Sequence, residues 1–294
     1  MSKAQSERIT LKIFFATIYT WILVGILYAV QFALFVPPIL IWTFLFDKKE
    51  RKVMYWLTRF FIKLFFSLFR ISKFNFDISS IKKAKGPRIY ILNHASQFDT
   101  FLIYLLPDRV KFFVKAVYTS LPFIGWTISL TGNILVKKPS DMNDDTNTLN
   151  KGLQVLKNGI PLLIFPEGTK SKTGDIGRFK TGGFRMAHEA KAEIVPVVLD
   201  TWNSIRPGGG LWARDTKVWM KALRPYKYEE YKNIDDKTLA KMIKIKMTEK
   251  LLNIRDTRRK QETDYYRHNE KYKIMDENAL NKVLEFKKKN KMLI

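Results

Sequence analysis

Two residues that could carry out acid–base chemistry, His94 and Asp99, follow an apolar segment at residues 88–92. Apolar side chains alternate along that segment as in a strand, and residues 100–106 are apolar enough for a helix that Pro107 would end. His94 and Asp99 are five positions apart, which is about 140° of rotation on a regular helix. We therefore expect His94 in a turn and Asp99 in the first helical turn after it. There the carboxylate would accept one ring N–H and leave the other ring nitrogen as a base.

Ser96 lies in the same turn and allows two other interpretations, a helix cap or a hydrolase nucleophile. Ser96 and Asp99 match a helix capping box, with Ser96 as N-cap, and this alternative stays open for both residues. It does not account for His94, which Asn93 and Ser96 frame at the end of the strand. A hydrolase with Ser96 as nucleophile is disfavoured. Ser96 and His94 are too close in one turn for in-line activation, and no nucleophile-elbow glycine pattern surrounds Ser96.

A second polar turn follows another apolar segment, at residues 161–166. It supplies an acid, a base, two hydroxyls and a flexible backbone, from Glu167, Gly168, Thr169, Lys170 and Ser171. Cations that follow, near the start of a predicted helix, would make this an anion site. The alternative is an ordinary solvated, glycine-rich loop. A nucleotide phosphate cradle is disfavoured because no complete dinucleotide-binding or P-loop glycine pattern is present.

Together these stretches resemble the glycerolipid acyltransferases, the family of 1-acylglycerol-3-phosphate (lysophosphatidate) acyltransferases. The resemblance covers roughly residues 85–200, where four segments come in the family's order: residues 93–99, 132–138, 165–171 and 194–199. Two departures stand out. Lys170 replaces the arginine of the family's Phe-Pro-Glu-Gly-Thr-Arg-Ser motif, and Lys137-Lys138 replace Asp-Arg. Lysine keeps the charge but lacks the planar fork that binds phosphate in a bidentate way.

The resemblance implies that a fatty acyl group moves from a thioester donor, acyl-CoA or acyl-carrier protein, to the hydroxyl of lysophosphatidate. His94 would be the general base and Asp99 would orient its ring, and no protein nucleophile is needed. The implied substrate-binding residues are Lys115, Lys138, Glu167, Gly168, Thr169 and Lys170. No cofactor is implied, and three scattered histidines without cysteine disfavour a catalytic metal site. The alternatives are another lysolipid or glycerol-3-phosphate as acceptor, or a non-catalytic basic membrane-binding protein.

These residues need an α/β domain to position them. We predict a mixed, largely parallel sheet flanked by helices over residues 73–254. The predicted strands are residues 74–78, 88–92, 111–115, 132–137, 161–165, 194–199 and 216–223. The predicted helices beyond residue 106 include residues 148–158 and 184–191.

The N-terminal part, residues 1–72, is predicted to be a helical membrane anchor. Residues 13–46 contain no charged side chain, enough for about 50 Å of helix, with a kink or break at Pro37-Pro38. Residues 53–69 are apolar except for Arg59 and Lys63, which fits either an interfacial helix or a core helix with two surface cations. A hairpin dipping into one leaflet, with the catalytic domain on the cytoplasmic side, fits both stretches.

The net charge of +25 points to an anionic partner. No nucleic-acid recognition motif is visible, so the expected partners are a membrane with anionic lipid, a lysophospholipid acceptor and an acyl thioester donor. The oligomeric state is left open. Residues 255–294 have no sustained apolar face and are predicted to be a solvated or partly disordered tail, with weak attachment to an anionic membrane as the alternative.

Overall fold

The structure, a computed structural model, describes residues 11–47, 50–68, 74–136, 146–202, 217–263 and 265–290. The α-helices are α1 Leu11–Val30, α2 Val36–Phe46, α3 Lys52–Leu68, α4 Asp99–Leu102, α5 Ile124–Leu130, α6 Thr146–Lys157, α7 Gly182–Glu189, α8 Tyr228–Tyr231, α9 Asp236–Gln261 and α10 Glu270–Lys289. A π-helical turn, Gln31–Phe35, and 3₁₀ turns Ile103–Leu105, Ala116–Ser120 and Tyr266–His268 complete the helical segments. The strands are β1 Phe74–Asp77, β2 Arg88–Leu92, β3 Lys111–Lys115, β4 Ile134–Val136, β5 Leu162–Ile164, β6 Glu193–Asp200 and β7 Val218–Ala222.

The strands form one sheet in the order β1-β7-β6-β2-β5-β3-β4. Neighbouring strands are parallel except for β6 and β7, which are antiparallel. Strand β2 lies in the centre, and every residue in it is buried. The predicted fold class, a mixed and largely parallel sheet flanked by helices, is confirmed.

Helices cover both faces of the sheet. Ile89 and Ile91 of β2 belong to a core cluster with residues of α6, α7 and α9. Their neighbours Tyr90 and Leu92 point the other way, into a cluster that includes Tyr55 of α3. A central parallel strand that is buried on both faces needs apolar side chains at nearly every position, which is why β2 reads as a short apolar run.

The predicted N-terminal hairpin is present. Helix α1, the π-helical turn and α2 follow one another without a break, and Ile13–Phe46 is apolar enough to span a membrane, with a mean hydropathy of 2.1. The two prolines do not break the helix because they stand in the first turn of α2. Helix α3 then runs back alongside: the Tyr19 hydroxyl donates to the Leu68 carbonyl, 2.9 Å away.

Of the two alternatives for the helix carrying Arg59, the structure favours the core helix. One face of α3 is buried, and the Tyr55 hydroxyl donates to the carbonyl of Asp108. Arg59 donates to the carbonyl of Leu106 at 2.7 Å, so it binds the catalytic domain and does not extend to a lipid headgroup. The predicted domain boundary at 72/73 lies outside the described residues.

The C-terminal part differs from the prediction. Helix α9 crosses the predicted boundary at 254/255, and α10 packs beside it with Val283 and Phe286 buried. The expectation of a solvated or disordered tail is wrong for residues 255–263 and 265–290. The side chains buried here include Arg255 and Arg267. Both are paired with an acid far away in the sequence, Asp175. Because their burial depends on this pairing, no apolar stripe in the sequence indicates it.

Candidate active site

The residues of the two predicted motifs meet at one edge of the sheet. His94 follows β2, Glu167 follows β5 and Thr201 follows β6, and these three strands are parallel neighbours. Lys115 ends β3, the strand on the far side of β5. The carboxyl ends of parallel strands share one edge, where open α/β sheets bind their ligands.

His94 and Asp99 form the predicted pair. The Nδ1 atom of His94 lies 2.8 Å from Oδ2 of Asp99. The carboxylate of Asp99 is fully buried, whereas the His94 side chain keeps 17% of its surface exposed. An ionised carboxylate can only accept hydrogen bonds, so in a neutral His94 ring this contact puts the proton on Nδ1 and leaves the lone pair on Nε2.

Asp99 is held by donors on both of its oxygens. Besides His94, Oδ2 accepts the backbone N–H groups of Ala95 at 2.7 Å and Ser96 at 2.8 Å. The Thr201 hydroxyl donates to Oδ1. Four donors converge on one buried carboxylate, so its orientation towards the histidine is fixed. Thr201 was missed from the sequence, although its position directly after a strand could have suggested it.

The His94 ring is positioned by stacking as well. It lies on the ring of Phe165, with centroids 4.4 Å apart and planes inclined by 25°. Among the described residues no group is hydrogen-bonded to its Nε2 atom. The ring is therefore held by Asp99 and Phe165 while Nε2 remains available to take a proton from a bound hydroxyl.

Ser96 takes part in only half of a capping box. Its N–H donates to the Asp99 carboxylate, and its hydroxyl oxygen accepts the N–H of Phe98 at 3.2 Å. Asp99 therefore orients the histidine and also accepts the Ser96 N–H, but Ser96 is not the N-cap: helix α4 begins at Asp99, with Phe98 as its N-cap and no side-chain cap. The helix that follows is shorter than predicted: α4 ends at Leu102 and gives way to a 3₁₀ turn. Leu106 is already extended, as a residue before proline must be.

Glu167 holds the two motifs together. Its Oε1 atom accepts the N–H of His94 at 2.9 Å and its Oε2 atom accepts the N–H of Gly177 at 2.7 Å. The Ser171 N–H in turn donates to the His94 carbonyl at 2.8 Å. Burial raises the pKa of Glu167, and the two backbone donors oppose that rise. Glu167 was predicted to bind substrate, but both of its oxygens already accept backbone N–H groups, so the geometry favours a positioning role.

Gly168 forms the turn after β5. Its φ of +71° is a left-handed conformation that suits glycine. Its N–H donates to the Phe165 carbonyl at 3.0 Å. This N–H is therefore used within the turn. Thr169 is exposed and makes no contact that assigns it a role.

Of the three predicted lysines, Lys170 lies within electrostatic reach of Asp99, and Lys115 lies within reach of Lys170. Burial lowers the pKa of Lys170, the nearby Asp99 carboxylate raises it, and Lys115 lowers it further. Lys170 and Lys115 are both half-buried. Their predicted contact with the acceptor's phosphate stays a prediction. Lys138, the third predicted cation, lies outside the described residues.

Buried arginines hold two segments next to the site, the loop after Ser171 and the end of β6. Asp175, four residues beyond Ser171, accepts from Arg255 at 2.7 Å and from Arg267 at 3.0 Å. Asp200, directly before Thr201, accepts from Arg258 at 2.9 Å. Nearby arginines hold the pKa of both carboxyls below the usual value despite burial. The C-terminal helices therefore brace the two loops that contact Asp99 and His94, a role the sequence did not reveal.

The remaining histidines have other contacts. His188 lies between Asp236, at 2.7 Å, and the carbonyl of Tyr231. His268 contacts the Glu262 carbonyl at 2.8 Å. The described part of the chain has no group of three or more histidines and acids placed to hold a metal ion.

Comparisons with known proteins agree with the motifs. Residues 73–200 match the acyltransferase family model. A 1-acyl-sn-glycerol-3-phosphate acyltransferase of Saccharomyces cerevisiae is 36% identical over 151 residues, covering 50% of this chain and 49% of the yeast protein. The chloroplastic enzyme LPAT1 of Arabidopsis thaliana is 30% identical over 166 residues, covering 56% of this chain and 46% of the plant protein.

The fold also matches a solved structure. The crystal structure of the 1-acyl-sn-glycerophosphate acyltransferase PlsC from Thermotoga maritima superposes with a TM-score of 0.68 at 21% identity, covering 83% of this chain and 97% of that one. At this identity the match supports the fold alone. The chain spans about half the length of the curated relatives that it matches. The family resemblance predicted from the motifs is confirmed.

Proposed function

The chain carries a domain of the acyltransferase family at residues 73–200, and on that premise we propose that it acylates lysophosphatidate to phosphatidate. The acyl group would come from a thioester, acyl-CoA or acyl-carrier protein. One observation carries the proposal. His94, at the carboxyl edge of the sheet, is bound through Nδ1 to a buried Asp99, while no group among the described residues is hydrogen-bonded to its Nε2 atom.

The reaction needs one base and stabilisation of the charge that develops. Nε2 of His94 removes the proton from the acceptor hydroxyl as its oxygen attacks the thioester carbon. Asp99 stabilises the imidazolium that forms. When the carbon–sulfur bond breaks, the same proton returns to the leaving thiolate. The acceptor oxygen attacks the donor directly, so no residue of the protein becomes acylated.

The acceptor's phosphate needs cations at a set distance from His94. We propose Lys170 and Lys115 for this role, because Asp99 raises the pKa of Lys170 and Lys115 lowers it, which puts the two lysines within electrostatic reach of each other. Lys138 is proposed as a third contact from the resemblance alone. Each lysine would act as a point charge on phosphate, without the bidentate grip of arginine.

An acceptor panel tests the substrate. Purified full-length protein would be given labelled acyl-CoA or acyl-carrier protein with lysophosphatidate, glycerol-3-phosphate or lysophosphatidylcholine. We expect acceptor-dependent formation of phosphatidate and slower transfer to the other two. Faster acylation of glycerol-3-phosphate would move the assignment to an earlier step of glycerolipid synthesis. No transfer to any acceptor would favour a non-catalytic membrane-binding protein.

We further propose that the N-terminal helices lie in one leaflet on the cytoplasmic side. The turn between α2 and α3 contacts the catalytic domain, because Glu50 pairs with Arg109 at 2.7 Å and Arg51 donates to the Ser129 carbonyl at 2.5 Å. Two full spans would put this turn and the domain on opposite sides of the bilayer. The cytoplasm is where soluble thioester donors are found, and cations before residue 13 agree with that side.

A single cysteine tests this orientation without background, because the chain has none. In Lys49→Cys, an impermeant thiol reagent should label the protein only after cells are opened. Labelling from outside intact cells would contradict the one-leaflet arrangement. Binding to vesicles with and without anionic lipid, at low and high salt, tests whether the positive charge adds to membrane attachment.

A further inference from the structure

One apolar surface of the catalytic domain lies outside the site and outside the N-terminal helices. Residues 116–130, here called the 116–130 segment, join β3 towards β4 through the 3₁₀ turn and α5. Val117 is 68% exposed, Leu121 is 42% exposed and Trp126 is 50% exposed. In a chain with 52 lysines and arginines, residues 116–136 contain no charged side chain. Exposed apolar patches of this kind mark interaction surfaces.

The patch continues the apolar surface of the N-terminal helices. The Tyr28 ring stacks on Phe123 with centroids 6.0 Å apart, and Phe32 lies edge-on to Trp126 at 5.4 Å. Trp126 is half exposed while it touches Phe32. Its free face therefore extends the same surface onto the catalytic domain. At the other end of the segment, Arg51 donates to the Ser129 carbonyl at the last turn of α5.

The segment has a defined shape. Gly125 packs so closely on the Thr119 carbonyl that a Cβ there would lie 2.2 Å from the oxygen. The Gly125 N–H donates to the Leu121 carbonyl at 2.8 Å, and the Thr127 N–H donates to that of Phe123 at the same distance. These contacts fix which side chains face outward. Apart from Ser120 and Ser129, the exposed side chains of the segment are apolar or aromatic, the composition that favours the interface of a bilayer.

We propose that the 116–130 segment is a second membrane-contact surface, formed by the catalytic domain itself, whose partner is the lipid bilayer. Val117 and Leu121 enter the headgroup–acyl boundary beside the N-terminal helices. Because β3 ends at Lys115 directly before the segment, this contact brings the headgroup layer to the sheet edge that carries His94. That last step rests on the proposed function, whereas the membrane contact does not.

Site-specific fluorescence tests the contact independently of any activity. Val117→Cys and Leu121→Cys, made in the full chain and labelled with an environment-sensitive dye, would be bound to phosphatidylcholine–phosphatidylglycerol vesicles. Leu280→Cys on α10 is the matched control, since Leu280 is 44% exposed. We expect spin-labelled lipids to quench the dye at 117 and 121, and a water-soluble quencher to reach only the dye at 280. Quenching from water at 117 and 121 would overturn the proposal. Protection from both quenchers would also overturn it, in favour of a contact with protein.

A second experiment measures how loss of the membrane contact changes the rate of acyl transfer. In Val117→Asp and Leu121→Asp, transfer to long-chain lysophosphatidate in vesicles should fall, while transfer to a short-chain, water-soluble lysophosphatidate stays at the wild-type rate. Leu280→Asp should change neither rate. Equal losses on both acceptors would show that these variants damage the site itself, and the role in presenting the acceptor would then be wrong.

Discussion

Replacing Asp99 with asparagine separates the charge of this residue from its position. In Asp99→Asn the amide oxygen can still accept from His94 Nδ1 and from the backbone N–H groups now bound to Oδ2. The amide nitrogen would face the Thr201 hydroxyl, which can turn to accept. The histidine should therefore keep its tautomer and orientation. Only the negative charge beside the ring is lost.

The expected loss of rate in Asp99→Asn follows from the distance between the charges of Asp99 and the His94 imidazolium. A unit charge pair about 4 Å apart at an effective dielectric constant of about 20 interacts with about 4 kcal/mol, and about 1.4 kcal/mol corresponds to a tenfold change in rate. If the His94 ring carries a full positive charge in the transition state, Asp99→Asn should therefore lower the rate about 1,000-fold. If the ring carries only part of that charge, the loss should be about 100-fold. Exchanging charge-assisted for neutral hydrogen bonds should cost at most about 2 kcal/mol of unfolding free energy.

Initial rates of acyl transfer and thermal unfolding would be measured on the same preparations. We expect Asp99→Asn to lose kcat while it stays folded at the assay temperature. Thr201→Val, which removes only the donor to Oδ1, is the matched control and should lose less. Wild-type turnover in Asp99→Asn would refute the reasoning, since it would mean that no imidazolium forms next to this carboxylate.

Substitutions at three further residues test separate parts of the account. Ser96→Ala should keep much of its turnover at a cost of about 1 kcal/mol in stability, and a trapped acyl-Ser96 intermediate would contradict direct transfer. Lys170→Ala should raise the half-saturation concentration of the acceptor more than that of the donor, and Lys170→Arg should preserve or improve binding; loss of donor affinity alone would assign Lys170 to the donor's phosphates. Arg255→Met should destabilise the fold by about 1–3 kcal/mol in urea unfolding because Asp175 and Asp276 each lose a charge-assisted hydrogen bond but keep Arg267. Lys260→Met, which removes an exposed cation from the same helix, should be nearly neutral, and equal effects of the two would show that the buried network is unimportant.

The sheet could be predicted because its strands are short apolar runs that end in recognisable turns. The site could be predicted for a related reason. His94 and Glu167 both follow such runs, and β2 and β5 prove to be adjacent and parallel, so their ends coincide. What remained open was which contacts the carboxylates make. Asp99 accepts from both His94 and the Ser96 N–H without a Ser96 N-cap. Glu167 accepts two backbone N–H groups, and its contact with substrate stays a prediction.

The burial of the arginines in the C-terminal part could not be predicted because it depends on pairing with acids and not on an apolar stripe. Arg255 and Arg267 share the partners Asp175 and Asp276. Asp175 is separated from them by 80 positions or more. A single sequence shows only a charged helix in such a case. Long-range pairing of this kind needs the fold to be known before its partners can be named.

The most direct test of the central claim is the turnover of His94→Ala. Full-length wild type and His94→Ala would be compared for labelled phosphatidate formed from a thioester donor and lysophosphatidate, with unfolding curves to match the folded fractions. His188→Ala would serve as control, since that histidine contacts Asp236 and Tyr231 away from the site. We expect His94→Ala to lose about 100- to 10,000-fold in rate while folded, and His188→Ala to keep its turnover once folded. Phosphatidate formed by folded His94→Ala at the wild-type rate would contradict the account.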